Sequence, residues 1–258
     1  MTLTTRQNFN LIAGIAFLIA AVALVAQGQA VGPGEAQATT KSLLDYWRVG
    51  GFAMYPIGLC SVAVVGLSIY CAILYKTSKM TQPQLVPIIG ESLEALDIEK
   101  AKSICSSAPG VLTNVLAAGL SRIKPDTEIS VEEVEKAMDE ASVEEVSAGM
   151  KPLGYLSIVT QVAPMFGLLG TVTGMIGAFD KIGMGQMGSP EKLADNIGEA
   201  MITTAAGLIV AIPAMFAYFG FKAHYTANIS RISTLLGDLT FRLKEGVRQS
   251  KVEQGKIF

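Results

Sequence analysis

Histidine and cysteine are scarce in this chain, and long stretches of it have no charge at all. His224 is the single histidine, and Cys60, Cys71 and Cys105 are the three cysteines. None of the cysteines has Cys-x-x-Cys spacing, so no disulfide framework and no zinc-type cluster is expected. Cys60 and Cys71 fall within an apolar run and read as small buried hydrophobes. His224 stands just past a hydrophobic segment and reads as interfacial. Charged residues make up 16% of the chain against 50% hydrophobic, and the net charge is -2. That balance offers no basic footprint for nucleic acid. No nucleophile and base pair, metal cluster or phosphate-binding glycine loop is present either, so neither an enzyme nor a cofactor is expected. The positive mean hydropathy places the chain among integral membrane proteins.

What the chain has is small residues in register. An uncharged run begins after Lys151 and ends at Asp180, longer than the roughly 20 apolar residues that cross a bilayer. Inside it Gly167, Gly170, Gly174 and Gly177 recur at helical spacing, which leaves one helix face almost bare. A second row runs through Thr160, Pro164, Gly167, Thr171, Gly174 and Ala178. Ala200 to Phe221 forms another uncharged run, with a matching row at Ala200, Thr204, Gly207, Ala211 and Ala214, and with Pro213 inside it. Such faces let helix backbones approach closely in lipid, where hydrophobicity cannot drive association. Pro164, Gly167, Gly170, Gly174, Gly177, Gly207, Ala211 and Pro213 are the expected packing set. Pro164 also frees a carbonyl, and Thr171 and Thr173 put hydroxyls at depth, so a polar side of the same helix is open as well.

Taken in order, Arg6 and the apolar core from Leu11 to Ala26 resemble a secretory signal peptide cut after Ala30, with an uncleaved anchor helix as the alternative for residues 1–30. Residues 31–51 are expected outside, with an interfacial helix around Leu43, Leu44, Tyr46 and Trp47. A span over 52–75 ends at Lys76 and Lys79, which puts 76–151 inside by the positive-inside bias. That region is expected to be a helical domain, with pieces at Glu91 to Ser106 and Val111 to Ile123. Ser130 and Glu133 form a capping box that opens a further helix toward the membrane. Spans over 152–179 and 199–221 flank an outer loop at 180–198. Lys222, Arg231, Arg242, Lys244 and Arg248 keep 222–258 inside, as a helix with Ile229, Ile232, Leu236, Leu239 and Leu243 on one face. The helix opened at Ser130 is its natural partner. The architecture expected is an all-α integral membrane protein with three transmembrane helices, two of them extending into a helical cytoplasmic domain.

Between their flanking charges the three spans contain no Asp, Glu, Lys, Arg or His. Ionisable groups in a membrane are costly and usually mark an ion path, so this chain alone is a poor proton carrier. Thr171, Thr203 and Thr204 are the polar groups at depth, able either to line a wet path or simply to bond their own helix. Glu199 stands at the outer end of the last span, at a solvated mouth or in the path itself.

Two stretches carry a resemblance. Ala-Pro-Met-Phe-Gly-Leu-Leu-Gly-Thr-Val-Thr-Gly-Met at 163–175 and Gly-Glu-Ala-Met-Ile-Thr-Thr-Ala-Ala-Gly-Leu-Ile-Val-Ala-Ile-Pro at 198–213 resemble the two signature helices of the MotA/TolQ/ExbB proton-channel family, nearest its ExbB branch. The resemblance covers about 200 residues from Phe52 onward. It implies a multi-pass subunit of the bacterial inner membrane, assembled as a pentamer around single-span ExbD-like chains. In that family an aspartate of the partner helix carries the proton, and a TonB-like protein relays the motion to outer-membrane uptake. By motif match, the pore threonines fall on Thr171 and Thr204 and the family glutamate on Glu199, while Thr203 has no assigned role. A TolQ-like envelope unit, a flagellar-stator subunit and a non-conducting scaffold are the alternatives. The resemblance leaves proton versus sodium open.

Overall fold

A computed structural model describes residues 50–123, 129–183 and 190–255. Among the described residues seven helices follow in order: α1 Met54–Leu74, α2 Thr77–Met80, α3 Val86–Glu94, α4 Ile98–Ser107, α5 Val111–Leu120, α6 Val131–Gly183 and α7 Pro190–Gly255. No strand occurs among the described residues. The expected leader at 1–30 and most of the 31–51 segment with its interfacial helix lie outside them. Among the described residues three helices, α1, α6 and α7, are long and apolar enough to cross a membrane. The described residues divide into an apolar unit, within 50–71 and 152–221, and a polar unit, within 72–151 and 222–255.

The apolar unit closes by near contact of backbones. A Cβ added at Gly207 of α7 would lie 2.7 Å from the carbonyl oxygen of Ala163 and 3.2 Å from Cα of Gly167 in α6. Such an approach is open only to residues without side chains. Cys60 of α1 joins Ala163 and Ala211 in a small buried core, bordered by Val159, Phe166 and Val210. Gly51, at φ 60°, forms the turn that leads into α1.

In the polar unit α7 turns its apolar face inward: Ile232, Leu236, Leu239 and Leu243 are buried, with Ile229 half-buried. The helix opened at Ser130 lies against it, with Lys244 Nζ 2.7 Å from Glu135 Oε1 and Thr240 facing the Met138 sulfur. The amide of Glu133 donates to Ser130 Oγ at 3.4 Å, the Ser arm of the expected capping box. On the other side, a Cβ at Gly246 would meet the carbonyl oxygens of Glu94 at 2.7 Å and Leu93 at 2.9 Å, so α7 rests directly on the end of α3.

A polar node ties the residues after α1 to α7. The carbonyl of Tyr75 receives His224 Nε2 at 3.0 Å and Asn228 Nδ2 at 3.3 Å. Carbonyls at a helix end have no partner within the helix, and two side chains one turn apart on α7 satisfy this one. The Tyr75 hydroxyl donates to Gly149 O at 2.8 Å and that of Tyr225 to Val146 O at 3.0 Å, their rings 5.0 Å apart. Burial, with Glu145 nearby, pushes the Tyr225 phenol up to about 12.

Two expectations are corrected. Glu91 to Ser106 is not one helix, because Leu96 takes a left-handed φ of 55° between α3 and α4. The amide of Asp97 bonds Ser92 O at 2.9 Å and that of Leu96 bonds Leu93 O at 3.2 Å, a Schellman ending. The Asp97 carboxylate then caps α4 through the Lys100 amide at 3.1 Å. The usual signal for such a stop is glycine, and leucine holds the position here. The connection between α6 and α7 is also shorter than 180–198. Helix α6 continues to Gly183 and α7 begins at Pro190, since proline is well suited to the first helical turn. The connection itself, 184–189, lies outside the described residues.

Candidate functional site

The expected site residues gather on the hairpin of α6 and α7 within the apolar unit. The buried row on α6 is Leu156, Thr160, Ala163, Gly167 and Gly170, with Pro164, Thr171 and Gly174 half-buried beside it. On α7 the buried row is Ala200, Thr203, Gly207, Ala211 and Ala214, and Pro213 is buried with it. Thr203, rather than Thr204, therefore completes the small-residue row. Steps of three and four residues fit either threonine, which is why spacing alone did not choose between them.

Thr203 is 1% exposed, and its hydroxyl bonds Ala200 O at 2.7 Å. It fills the space beside Gly170, where an added Cβ would collide with Thr203 Oγ1 and lie 3.1 Å from Cβ of Ala53. Thr204 stands at the margin of the contact, half-buried, and its hydroxyl reaches Gly167 O at 3.0 Å. Thr171 lies one turn beyond Gly167 and bonds Leu168 O of its own helix at 2.7 Å. The structure thus brings Thr204 onto the glycine row just below Thr171. Glu199 falls in α7, one turn before Thr203; its side chain lies outside the described set. Gly177 is not drawn into this contact, since nothing comes within 4 Å of a Cβ added there. Among the described residues no group of His, Cys, Asp or Glu could hold a metal ion.

Residues 107–234 match the model of the MotA/TolQ/ExbB proton channel family. A Synechocystis protein named as an ExbB-like biopolymer transport protein is 32% identical over 184 residues, covering 69% of this chain and 70% of its own. The chain belongs to the MotA/TolQ/ExbB proton channel family. Within it, the biopolymer transport protein ExbB of Xanthomonas campestris is 40% identical over 106 residues, 41% of this chain and 42% of its own. The Tol-Pal system protein TolQ of Haemophilus influenzae is 35% identical over 100 residues, 38% of this chain and 44% of its own. In these two cases the match spans less than half the length of the relative. Membership makes the chain a multi-pass membrane protein and a channel subunit of the ExbB/TolQ type, in a family of channels rather than enzymes.

Proposed function

We propose that this chain is an ExbB-like subunit of the bacterial inner membrane that works with an ExbD-like single-span partner to convert the proton motive force into mechanical work for TonB-dependent outer-membrane transport. The observation that carries the reading is the hairpin of two charge-free spans whose polar groups at depth are threonine hydroxyls, with Thr204 held against Gly167 and Thr171 one turn away. A wall of this kind guides a proton but cannot store one, so the acid must come from another chain, as an aspartate in the partner's membrane helix. Glu199 would stand at the outer mouth of the path. The copies would surround the partner helices as a pentamer. Each charge that crosses is worth about 2.3 kcal/mol per 100 mV, enough to drive stepwise motion of the partner within the ring.

In this reading three spans run over 52–75, 152–179 and 199–221, and 76–151 and 222–258 lie in the cytoplasm. The likeness to TolQ supports a second reading, in which the same device serves envelope maintenance.

The experiment is purification with and without a co-expressed single-span partner, with subunit number read by native mass spectrometry and proton flux read in vesicles under an imposed potential. A pentamer that conducts only with the partner, and stops when the partner's membrane Asp is changed to Asn, is the expected result. A ring that takes up no partner and never conducts would overturn the reading and leave a scaffold.

A further inference from the structure

A groove of about 600 Å³ runs through the polar unit between α5, α6 and α7. Its α6 wall extends from Glu135 to Val146, about 16 Å of helix at 1.5 Å per residue. The floor is apolar, with Val115, Met138, Ile232 and Leu236 buried beneath it. On the α7 side the ring of Phe241 is 68% exposed, and a Cβ added at Gly237 would have nothing within 4 Å. Apolar lining therefore stays open along a length that accommodates about three turns of another helix.

The charges around this floor leave one sign over. From Val131 to Met150, α6 holds seven acidic residues and one base, Lys136. Lys244 of the α7 wall is taken by Glu135 at 2.7 Å. Asp139 stands in the α6 wall one turn beyond Glu135, and Asp238 follows Gly237 on α7, three residues before Phe241. Both are exposed, and among the described residues neither is ion-paired. Two free carboxylates on opposite banks of an apolar floor repel an acidic visitor and attract a cationic one. The exposed face of Phe241 adds a further attraction for Lys or Arg.

We infer that this groove receives a cationic amphipathic helix, and that the helix is the cytoplasmic flank of the single-span partner. Such a helix lays its apolar stripe on Ile232 and Leu236 and carries basic residues on both shoulders, one toward Asp139 and one toward Asp238. A single-span protein keeps its Lys and Arg on the inner side of the membrane, the side on which 76–151 and 222–258 lie in the proposed topology. The identity of the occupant rests on the channel reading, whereas the preference of the groove for a basic helix does not. Docking there would hold the partner from below its span, apart from any contact made within the bilayer.

Two measurements test this. The first takes the full chain alone in nanodiscs of zwitterionic lipid, with a fluorescent Leu/Lys amphipathic peptide as probe, its Leu/Glu counterpart as control and empty nanodiscs as background. The Leu/Lys peptide should bind and the Leu/Glu peptide should not. Changing Asp139→Lys together with Asp238→Lys should weaken binding by on the order of tenfold, and Gly237→Leu, which fills open space in the groove, by a similar factor. Equal binding of both peptides, or binding that these variants leave unmoved, overturns the inference. Should the double lysine variant fail to fold, Asp139→Asn with Asp238→Asn removes the charges at nearly constant shape and should weaken binding by roughly threefold. The second measurement places a photo-reactive residue at Gly237 in the full chain co-expressed with its partner, and identifies the adduct by mass spectrometry. An adduct with partner residues beside the inner end of the partner's span, diminished by the two Asp→Lys changes, is the expected result. An adduct with a second copy of this chain, or no adduct in an assembled complex, overturns the proposed occupant. A partner that never co-purifies overturns the channel reading and the occupant together, while the peptide measurement still decides whether the groove prefers a basic helix.

Discussion

The side chain of Thr203 occupies the space that any side chain on Gly170 would need, and this contact joins the two neighbouring helices of the hairpin. It makes glycine at 170 a requirement of threonine at 203. Gly207 is constrained differently, because its neighbour is a backbone carbonyl of Ala163.

Gly170→Ala and Gly207→Ala should each lower the stability of the purified chain by about 1–3 kcal/mol through overpacking, read as thermal unfolding in detergent. Thr203→Ala should recover part of the loss at 170, since it removes the offending hydroxyl, and none of the loss at 207. Gly177→Ala should leave the unfolding temperature unchanged, because the space beside Gly177 is open. Equal losses at all three glycines would show that helix geometry, and not these contacts, sets the effect.

Alkaline stability should carry the signature of Tyr225. Its phenol is raised from 10.0 to about 12 by burial and by Glu145, so between those values the unfolded chain has lost a proton that the folded chain keeps. Stability contributed by the neutral phenol is complete below pH 10.0 and falls as pH rises toward about 12. Denaturant midpoints measured across that window should decline in the wild type. Tyr225→Phe should flatten the decline while losing about 1 kcal/mol at neutral pH with the bond to Val146.

The polar unit should prove more sensitive to close backbone contact than to ion pairs. Arg242 lies 2.9 Å from Glu94, but both side chains are nearly half exposed. Glu94→Gln should therefore cost no more than about 1 kcal/mol, whereas Gly246→Ala, directed at the Leu93 and Glu94 carbonyls, should cost about 1–3 kcal/mol. Asp97→Ala should cost about 1 kcal/mol through loss of the α4 cap. Chemical denaturation followed by circular dichroism separates the three.

Much of this was legible in sequence because it is periodic. The charge-free runs around Gly167 and Gly207 mark helices in lipid, and the row from Ile232 to Leu243 marks a helix with one buried face. The helix opened by Ser130 carries its start in its own residues. Where the signal is local but unusual, sequence reading went astray. Leu96 ends a helix in a conformation usually left to glycine, and Pro190 opens a helix inside a stretch that reads as loop.

By itself the sequence determined the helical class, the runs able to cross a bilayer, the small-residue faces and the lack of an acid in the spans. Each is a property of one segment and its spacing. Tertiary structure alone decided that Thr203 is buried against Gly170, that the Thr204 hydroxyl donates a hydrogen bond to the Gly167 carbonyl, and that His224 and Asn228 cap Tyr75. These depend on how one helix is rotated and shifted against another. A helix turns about 100° per residue, so which of the neighbours Thr203 and Thr204 faces the other helix depends on a rotation that no local pattern specifies.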